Sequence, residues 1–229
     1  MKDGPNIVGI AALIGDHTRA DILTALLAGQ ALTATELAGL AGVTKQTISA
    51  HVAKLLDARL IAVDRQGRHR YFRLADRDVA DLLESLMGVA YRTGAVRLRS
   101  SPREPALRRA RVCYDHLAGE IGVLVHESLE RRRILRSGGD GLVLTEPGRR
   151  LCREIGIDLD ALARLRRPLC RTCLDWSVRR HHLAGALGAA LLSRYFELGW
   201  ARREKGSRVV TFSIAGERAL RERFRLANG

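Results

Sequence analysis

Apolar residues recur at helical spacing in two consecutive segments near the start of the chain. In the first segment, which begins at Thr33, Leu37 and Leu40 lie on one face. Glu36 lies in the first turn, where a carboxylate suits the positive end of a helix. Because Gly42 interrupts the pattern, the sequence predicts a short helix that ends there.

The second segment begins at Thr44, a suitable N-cap residue. Its apolar residues follow the stripe of a helix buried on one side: Ile48, Val52, Leu55 and Leu56. The other face carries donors and acceptors of the kind that contact base edges and phosphates when a helix lies in a major groove. The candidate DNA-binding residues here are Thr44, Lys45, Gln46, Thr47, Ser49, His51 and Lys54. The alternative is a polar face that contacts only solvent.

Two short segments of strand-like composition follow, Leu60-Ile-Ala-Val-Asp and Arg70-Tyr-Phe-Arg-Leu. They flank a basic turn in which Gly67 can adopt a positive φ. The pattern predicts a β-hairpin with arginines at its tip, which suits contact with phosphates or the minor groove. The candidate DNA-binding residues of this hairpin are Arg65, Arg68, His69 and Arg70. Helix, turn, helix and basic hairpin together predict a winged helix.

These residues resemble the ArsR (arsenic-repressor-like) family of bacterial transcriptional regulators. The matching motifs are Asp16-His-Thr-Arg-Ala-Asp-Ile-Leu, Val43-Thr-Lys-Gln-Thr-Ile-Ser-Ala-His-Val and Gly67-Arg-His-Arg-Tyr-Phe-Arg-Leu. The resemblance implies a winged helix-turn-helix whose DNA-facing residues are Lys45, Gln46, Thr47, Ser49 and His51. Ala50 departs from the family pattern, because many relatives have an arginine just before the histidine.

The familiar metal sites of this family do not match the chain. Its thiolate sensors carry a Cys-x-Cys-Asp element where this chain has Thr33-Ala-Thr-Glu. Its zinc sensors use Asp and His ligands on the helix after the wing, where the segment from Val79 to Met87 contains no histidine. An inducer is therefore expected to act through the C-terminal half.

The segment after the hairpin, from Asp76 to about Thr93, predicts a helix that mediates dimerisation or contact between domains. Its apolar stripe consists of Val79, Leu82, Leu83, Leu86 and Val89. Residues 96–111 are rich in arginine, contain two prolines and are predicted to be a basic linker that contacts flanking DNA or only solvent. The predicted domains are therefore a DNA-binding domain at 1–95, the linker, and an effector and dimerisation domain at 112–229.

The C-terminal half contains a repeat. His116-Leu-Ala-Gly-Glu-Ile-Gly recurs 66 residues later as His182-Leu-Ala-Gly-Ala-Leu-Gly. Each copy then reaches a strand that ends in threonine or serine, followed by a glycine and a helix, which is typical of the junction that ends a wing. The predicted fold class is mainly α with small β-hairpins (α+β), and the C-terminal domain consists of two degenerate winged-helix-like repeats. The Cys113-Tyr-Asp-His and Cys173-Leu-Asp-Trp segments also resemble a subgroup of long ArsR-type regulators.

A Cys-x-Asp element occurs in both copies, and a pseudo-twofold arrangement would bring the two together. The candidate effector residues are Cys113, Asp115, His116, Cys170, Cys173, Asp175, Trp176, His181 and His182. The cysteines and histidines offer a soft set of ligands for zinc or another thiophilic metal. Two alternatives remain open: a pocket for an organic inducer that includes Trp176, or ordinary packing and helix capping by these residues.

Charge supports a polyanionic partner. The chain has 39 Lys and Arg residues against 25 Asp and Glu, a net charge of +14, so nucleic acid binding would depend strongly on salt. Nearly all the basic residues are arginine, which suits phosphate contacts but also follows from a GC-rich genome. The early apolar run from Ile7 to Ile14 is too short to span a membrane, so a cytoplasmic location is expected, with the four cysteines reduced or acting as ligands.

Three classes of function follow. The first is a sequence-specific transcriptional regulator, a homodimeric repressor that binds an inverted repeat in double-stranded DNA and responds to a metal or small-molecule effector. The second is an architectural protein that binds nucleic acid without sequence preference. The third, a thiol enzyme, is disfavoured because Cys113, Asp115 and His116 are too close along one chain to act as nucleophile, orienting group and base. We therefore expect no enzymatic activity.

Overall fold

The computed structural model describes residues 4–67, 69–93, 95, 104–138 and 141–226. The chain forms two compact units, Met1–Leu83 and Glu84–Gly229. Arg68 of the predicted hairpin, and residues 96–103 of the predicted linker, lie outside the described residues. Across the described ranges, none of the helices combines the length and apolar character that crossing a bilayer requires.

The first unit consists of short helices and a small sheet, and a longer helix, α5, begins at its end. The elements are α1 Ile7–Ile14, α2 His17–Leu26, β1 Leu32–Thr33, α3 Ala34–Ala41, α4 Lys45–Asp57, β2 Ile61–Gln66, β3 His69–Leu74 and α5 Arg77–Arg92. This order confirms the predicted winged helix-turn-helix. The α1 helix and the two-residue strand β1 were not predicted.

Local hydrogen bonds fix the start of α3 and α4. The Thr33 hydroxyl accepts from the Glu36 backbone N–H, and the Glu36 carboxylate accepts from the Thr33 backbone N–H at 2.8 Å, which forms a capping box. Gly42 ends α3 in the left-handed conformation, with φ 67°. The Thr44 hydroxyl then caps α4 by accepting from the Thr47 backbone N–H. Both helices therefore begin where the sequence predicts.

The wing is an antiparallel hairpin within a three-stranded sheet of order β1-β3-β2. Its register runs from the Ile61–Leu74 pair to the Gln66–His69 pair at the tip. Gly67 turns the chain with φ 56°, the positive value predicted for it. The hairpin therefore projects beyond the short strand β1, which pairs only with residues 71 and 72 of β3.

The core of the first unit lies between the helices and the sheet. Its fully buried residues include Ile22, Leu23, Leu26, Leu37, Ile48, Leu55 and Leu74. One expectation was wrong: Leu40 is 48% exposed, because Leu37 and Ala38 form the buried face of α3. The predicted stripe of α4 is otherwise buried, with Leu56 partly exposed.

The α5 helix divides its apolar stripe between the core and the surface. The Asp76 carboxylate caps it by accepting from the Val79 backbone N–H at 3.0 Å. Val79 and Leu83 are buried, whereas a second row of residues on the helix is exposed by 40 to 46%: Leu82, Leu86 and Val89. These three residues follow i, i+4, i+7 spacing and form one continuous apolar strip, which we call the α5 strip.

The second unit contains two runs of the same element order, a hairpin, a helix, a hairpin and a helix. The first run is β4 Arg111–Cys113, β5 His116–Ala118, α7 Glu120–Arg131, β6 Leu135–Gly138, β7 Gly141–Leu144 and α8 Glu146–Glu154. The second is β8 Arg171–Leu174, β9 His181–Ala184, α10 Gly185–Glu197, β10 Ala201–Arg203, β11 Val210–Phe212 and α11 Ile214–Phe224. The α6 helix, Glu104–Arg109, precedes them, and α9, Leu159–Ala163, separates them.

Both strand-to-helix junctions of these runs carry the predicted caps. The Thr145 hydroxyl accepts from the Gly148 backbone N–H before α8, and the Ser213 hydroxyl accepts from the Gly216 backbone N–H before α11. The likeness of each run to a winged helix remains a prediction.

Backbone hydrogen bonds join the two runs. The Val112 N–H donates to the Arg208 carbonyl at 2.8 Å, and the Val210 N–H donates to the Ala110 carbonyl at 3.0 Å. Buried side chains from α7, α8, α10 and α11 then form one core, which includes Leu129, Leu151, Leu191, Tyr195 and Phe224. The two runs therefore share a hydrophobic core.

The last part of the predicted linker is ordered within this unit. Residues 104–109 form α6, and Arg111 begins β4 with none of its surface exposed. Arg111 therefore differs from the solvated or DNA-facing charge that was expected at this position. The sequence does not reveal that Arg111 is buried, because it is one of several neighbouring arginines. The residue that Arg111 contacts lies far away along the chain.

Two glycines permit tight contacts where the repeated hairpins lead into α7 and α10. Gly119 and Gly185 both have φ 86°, a value that side-chain-bearing residues rarely adopt. A Cβ atom on Gly119 would lie 2.6 Å from the Arg108 carbonyl oxygen, and one on Gly185 would lie 2.7 Å from the Leu169 carbonyl oxygen. Each copy therefore requires glycine at this position.

We expect Gly119→Ala to lower the free energy of unfolding by about 3 kcal/mol or more, since left-handed strain adds to a backbone clash. The control is Gly199→Ala, at φ 68° with no atom within 4 Å of the added Cβ, which should cost only about 1 to 2 kcal/mol. Urea unfolding of the full chain measures both. Equal losses for the two variants would show that the close approach at Gly119 is not a constraint.

Candidate functional site

The N-terminal end of α4 presents its polar residues to solvent. The exposed residues are Thr44, Lys45, Gln46, Thr47, Ser49 and Lys54. The Thr44 and Thr47 hydroxyls lie 2.9 Å apart, and the Ser49 hydroxyl donates to the Lys45 carbonyl at 2.8 Å. Because Ile48, Val52 and Leu55 hold the opposite face in the core, the rotation of α4 about its axis is fixed and these polar groups remain outward.

His51 differs from the other candidate residues of α4. Its side chain is only 18% exposed, and its Nδ1 atom lies 3.4 Å from the Asp16 carboxylate. Asp16 caps α2, and the hydrogen bond from the Arg19 backbone N–H lowers its pKa. The His51 side chain thus points from α4 toward the start of α2 and lies at the edge of the polar face.

The wing places like charges directly opposite each other. Arg65 and Arg70 are paired in the register of β2 and β3, and both are exposed. Like charges at opposed positions of a hairpin repel each other, so an anion near both would relieve this repulsion. His69 is also exposed, and the Arg70 guanidinium lies 5.4 Å from the centre of the Phe72 ring. The predicted basic character of the wing is therefore present in the residues that the structure describes.

The second unit brings four of the candidate effector residues together in its interior. The ligand-forming atoms of Cys113, His116, Cys173 and His182 all lie within 4.8 Å of one another. We call these four residues the Cys/His cluster. Their exposed fractions are 2, 1, 9 and 0%, respectively.

The two repeated hairpins position the cluster. In the first hairpin Cys113 pairs with His116, and in the second Cys173 pairs with His182. Each hairpin therefore contributes one thiol and one imidazole from opposed positions, which lie on the same side of the strands. This arrangement follows the predicted correspondence between the copies.

Short distances connect the two halves of the cluster. The Nε2 atoms of His116 and His182 are 3.1 Å apart, and their rings stack with centres separated by 5.0 Å. The sulfur atoms of Cys113 and Cys173 are 3.9 Å apart, and both are free thiols. The hydrogen bond that the Cys113 thiol donates lowers the pKa of Cys173, while the pKa of Cys113 is raised, so the pair favours one thiolate.

Two predicted candidates do not join the cluster. Cys170 is buried in the shared hydrophobic core, where burial raises its pKa to about 12. His181 is exposed, because it alternates with His182 along β9 and lies on the other side of the strand. The predicted ligand set is therefore corrected from six residues to the four of the cluster.

Asp115 holds His116 from outside the cluster. The Nδ1 atom of His116 lies 3.0 Å from the Asp115 carboxylate, which also accepts from the Arg167 guanidinium at 2.6 Å. Burial disfavours the charged imidazole, but the interactions with Asp115 and Cys173 together outweigh this effect, and the pKa of His116 is raised. Burial likewise opposes ionisation of Asp115, yet the bonds from His116 and Arg167 lower its pKa.

Asp175 forms a buried network on the other side. Its carboxylate accepts from the Arg111 guanidinium at 3.0 Å, from the Gly119 backbone N–H at 2.6 Å and from the Ser177 hydroxyl at 2.7 Å. Despite the cost of burial, the charge of Arg111 and these hydrogen bonds lower the pKa of Asp175 to about 2. The carboxylate also lies 3.8 Å from the Nδ1 atom of His182.

Trp176 packs against this network. The Arg111 guanidinium lies 4.5 Å from the centre of the Trp176 ring, a cation–π contact. Sequence reasoning missed Arg111, Arg167 and Ser177, since none of them belongs to a repeated motif.

An apolar cavity near the Cys/His cluster is lined by Leu117, Leu183 and Tyr195 among others. Its volume is about 10 Å³, the space of one water molecule. This cavity is too small for an organic inducer.

Comparison with known proteins places the chain among transcriptional regulators. The model of the helix-turn-helix domain family matches residues 14–64. The uncharacterized HTH-type transcriptional regulator YdfF of Bacillus subtilis (strain 168) is 41% identical over 216 residues, which are 94% of this chain and 96% of YdfF.

Solved structures match part of the chain. The homodimeric winged helix-turn-helix domain of Mb0332 from Mycobacterium bovis, a possible ArsR-family regulator, is 23% identical, with 44% of this chain and all of that domain covered and a TM-score of 0.36. The cadmium sensor CMTR of Mycobacterium tuberculosis is 31% identical over 35% of this chain and 82% of its own, with a TM-score of 0.31. From the near full-length likeness to YdfF and the observed helix-turn-helix and wing, the chain belongs to the HTH-type transcriptional regulators.

Proposed function

We propose that this regulator is a homodimeric repressor that recognises an inverted repeat in double-stranded DNA. In this proposal residues 1–95 bind the operator, and residues 112–229, together with α6 and the start of β4 from the predicted linker, modulate binding and assist dimerisation. The observation that carries the proposal is the exposed polar end of α4 next to a wing with two opposed arginines.

Base recognition is assigned to the start of α4. Lys45, Gln46 and Thr47 are exposed in its first turn, while the buried side of the helix is anchored in the core. The N-terminal residues of a recognition helix are those nearest the base edges in a major groove. Of these three, Gln46 has the amide that forms paired hydrogen bonds with adenine.

Phosphate contact is assigned to the wing. Arg65 and Arg70 face the same side of the hairpin and are exposed. Their guanidinium groups bind phosphate oxygens well, and such contacts position a protein on DNA without reading its sequence. The net charge of +14 adds a general attraction to DNA that weakens with salt.

Dimerisation is assigned to the α5 strip. One recognition helix covers only a few base pairs, so a specific operator requires two half-sites about one helical turn apart or slightly more. Leu82, Leu86 and Val89 expose a row of apolar side chains along about two turns of α5, as expected for a helix that packs against a second copy. The proposal includes action in the cytoplasm and no enzymatic activity.

Substitutions should separate base recognition from phosphate contact. After the operator is located by footprinting the protein on its own upstream DNA, Gln46→Ala should reduce discrimination against scrambled DNA by about 1 to 3 kcal/mol. Arg70→Ala should weaken binding to both DNAs about equally and flatten the salt dependence, with a slope change of about 0.9 per lost phosphate contact. Competition binding at several salt concentrations measures both effects.

The matched control is Arg218→Ala, which removes the same charge from a side chain that is 81% exposed in the second unit. This substitution should change neither the affinity for the operator nor the affinity for scrambled DNA. The assignment is wrong if Arg70→Ala alters sequence preference while Gln46→Ala does not. Equal affinity of the unaltered protein for operator and scrambled DNA would support the architectural alternative instead.

The oligomeric state tests the α5 strip. Leu86→Asp should convert the dimer to a monomer, because it would place a carboxylate in an apolar interface. The control is Val143→Asp on β7, an exposed apolar position at 55% that should leave the dimer intact. Sedimentation equilibrium at micromolar concentration measures the oligomeric state of each protein. If the unaltered protein is a monomer and binds a half-site one to one, the proposed dimer is wrong.

A further inference from the structure

The Cys/His cluster presents the donor atoms of a closed metal site. It combines two sulfur and two imidazole nitrogen donors, the set that binds Zn²⁺ and other thiophilic cations in tetrahedral sites. The protein supplies all four ligands, as in sites that serve structure or regulation and unlike catalytic sites, which keep a position open for water.

Two of the separations match edges of a tetrahedron, the one between the two sulfurs and the one between the two nitrogens. Zinc–sulfur bonds of about 2.3 Å and zinc–nitrogen bonds of about 2.0 Å give edges of about 3.8 Å between sulfurs and about 3.3 Å between nitrogens. The observed values are 3.9 Å between Cys113 Sγ and Cys173 Sγ and 3.1 Å between the two Nε2 atoms. The sulfur distance is far from the ~2.05 Å of a disulfide bond.

A carboxylate outside the cluster orients one of the two imidazoles. Asp115 accepts from His116 Nδ1 at 3.0 Å, whereas the Asp175 carboxylate lies 3.8 Å from His182 Nδ1, near the ring but beyond hydrogen-bond distance. A carboxylate at Nδ1 favours the tautomer of His116 whose Nε2 lone pair points inward, as in the carboxylate–histidine–zinc arrangement. Two lone pairs that face each other at 3.1 Å repel unless a cation or proton lies between them.

We propose that Cys113, His116, Cys173 and His182 bind one thiophilic divalent cation, with Zn²⁺ as the reference ion, and that its binding regulates DNA affinity. The regulatory half of this inference rests on the proposed function. The carboxylate of Asp115 acts as a positioning group for the His116 imidazole. Cys173, which is 9% exposed, is the most accessible of the four ligands.

Hydrogen bonds connect the cluster to α5. Cys113 ends β4, and the adjacent Val112 N–H donates to the Arg208 carbonyl at 2.8 Å. The Arg208 guanidinium then donates to the buried Glu84 carboxylate of α5, also at 2.8 Å. A shift of β4 on metal binding therefore acts on the helix that carries the α5 strip.

The test uses Co²⁺ added to the reduced, metal-free full chain. We expect one Co²⁺ per chain, with the visible bands of tetrahedral cobalt and thiolate charge-transfer absorption, and displacement by Zn²⁺. Cys173→Ser and His182→Gln should lower Co²⁺ affinity at least about 100-fold, and Asp115→Asn about 10- to 100-fold. Circular dichroism confirms that each variant is folded.

Neighbouring residues provide matched controls. Cys170→Ser and His181→Gln change the same residue types within three positions of the ligands but outside the cluster, and should retain the cobalt spectrum. If a ligand variant does not fold, the Co²⁺ titration of the unaltered chain still shows whether the metal site exists. Absence of tetrahedral bands, equal loss in the control variants, or a Cys113–Cys173 disulfide in the metal-free protein from the cytoplasm would overturn the site.

A separate measurement tests regulation. Operator affinity should differ at least tenfold between zinc-loaded and chelator-treated protein, and Cys173→Ser should abolish this difference. Cobalt binding without any change in operator affinity would overturn the regulatory role. If the protein prefers no DNA sequence in either state, the proposed function fails, whereas the cobalt spectrum still establishes or refutes the metal site.

Discussion

The buried ion pair between Arg111 and Asp175 is the interaction on which the second unit depends. Both side chains are inaccessible to solvent, so each would carry a large desolvation penalty without the other. Asp175 offsets this penalty with further hydrogen bonds to Ser177 and the Gly119 backbone, while Trp176 covers the Arg111 guanidinium. The pair joins the strand that ends at Cys113 to the segment after Cys173, and thereby brings the two repeated hairpins together.

The two functional regions require opposite environments. The residues at the start of α4 and on the wing are exposed, as the proposed contact with DNA along a long and variable surface requires. The Cys/His cluster is enclosed and supported by Asp115 and Arg167, as the proposed metal site requires, because ligands held in advance lose little freedom on binding an ion. The two proposals thus assign broad electrostatic contact to an exposed surface and the binding of one small cation to a buried cluster of the same chain.

The helix-turn-helix and the wing of the first unit could be predicted because the sequence patterns that specify them involve residues close together along the chain. The capping box of α3, the left-handed Gly42 and the spacing of α4 each depend on residues within a few positions. In the second unit, the repeat identified the corresponding cysteines and histidines, but only the register of β9 distinguishes His182 from His181. The role of Arg111 was hidden because its partner, Asp175, is 64 residues away.

All four groups of the Cys/His cluster come from one chain, so their convergence does not depend on protein concentration. A site shared between subunits would lose half of its ligands on dilution, whereas this one persists in an isolated subunit. The proposed dimer would then contain two complete sites, and one could be filled while the other is vacant. Under the proposed regulation, such a half-filled dimer would present unequal halves to the two arms of an operator and would have a DNA affinity between those of the empty and the filled dimer.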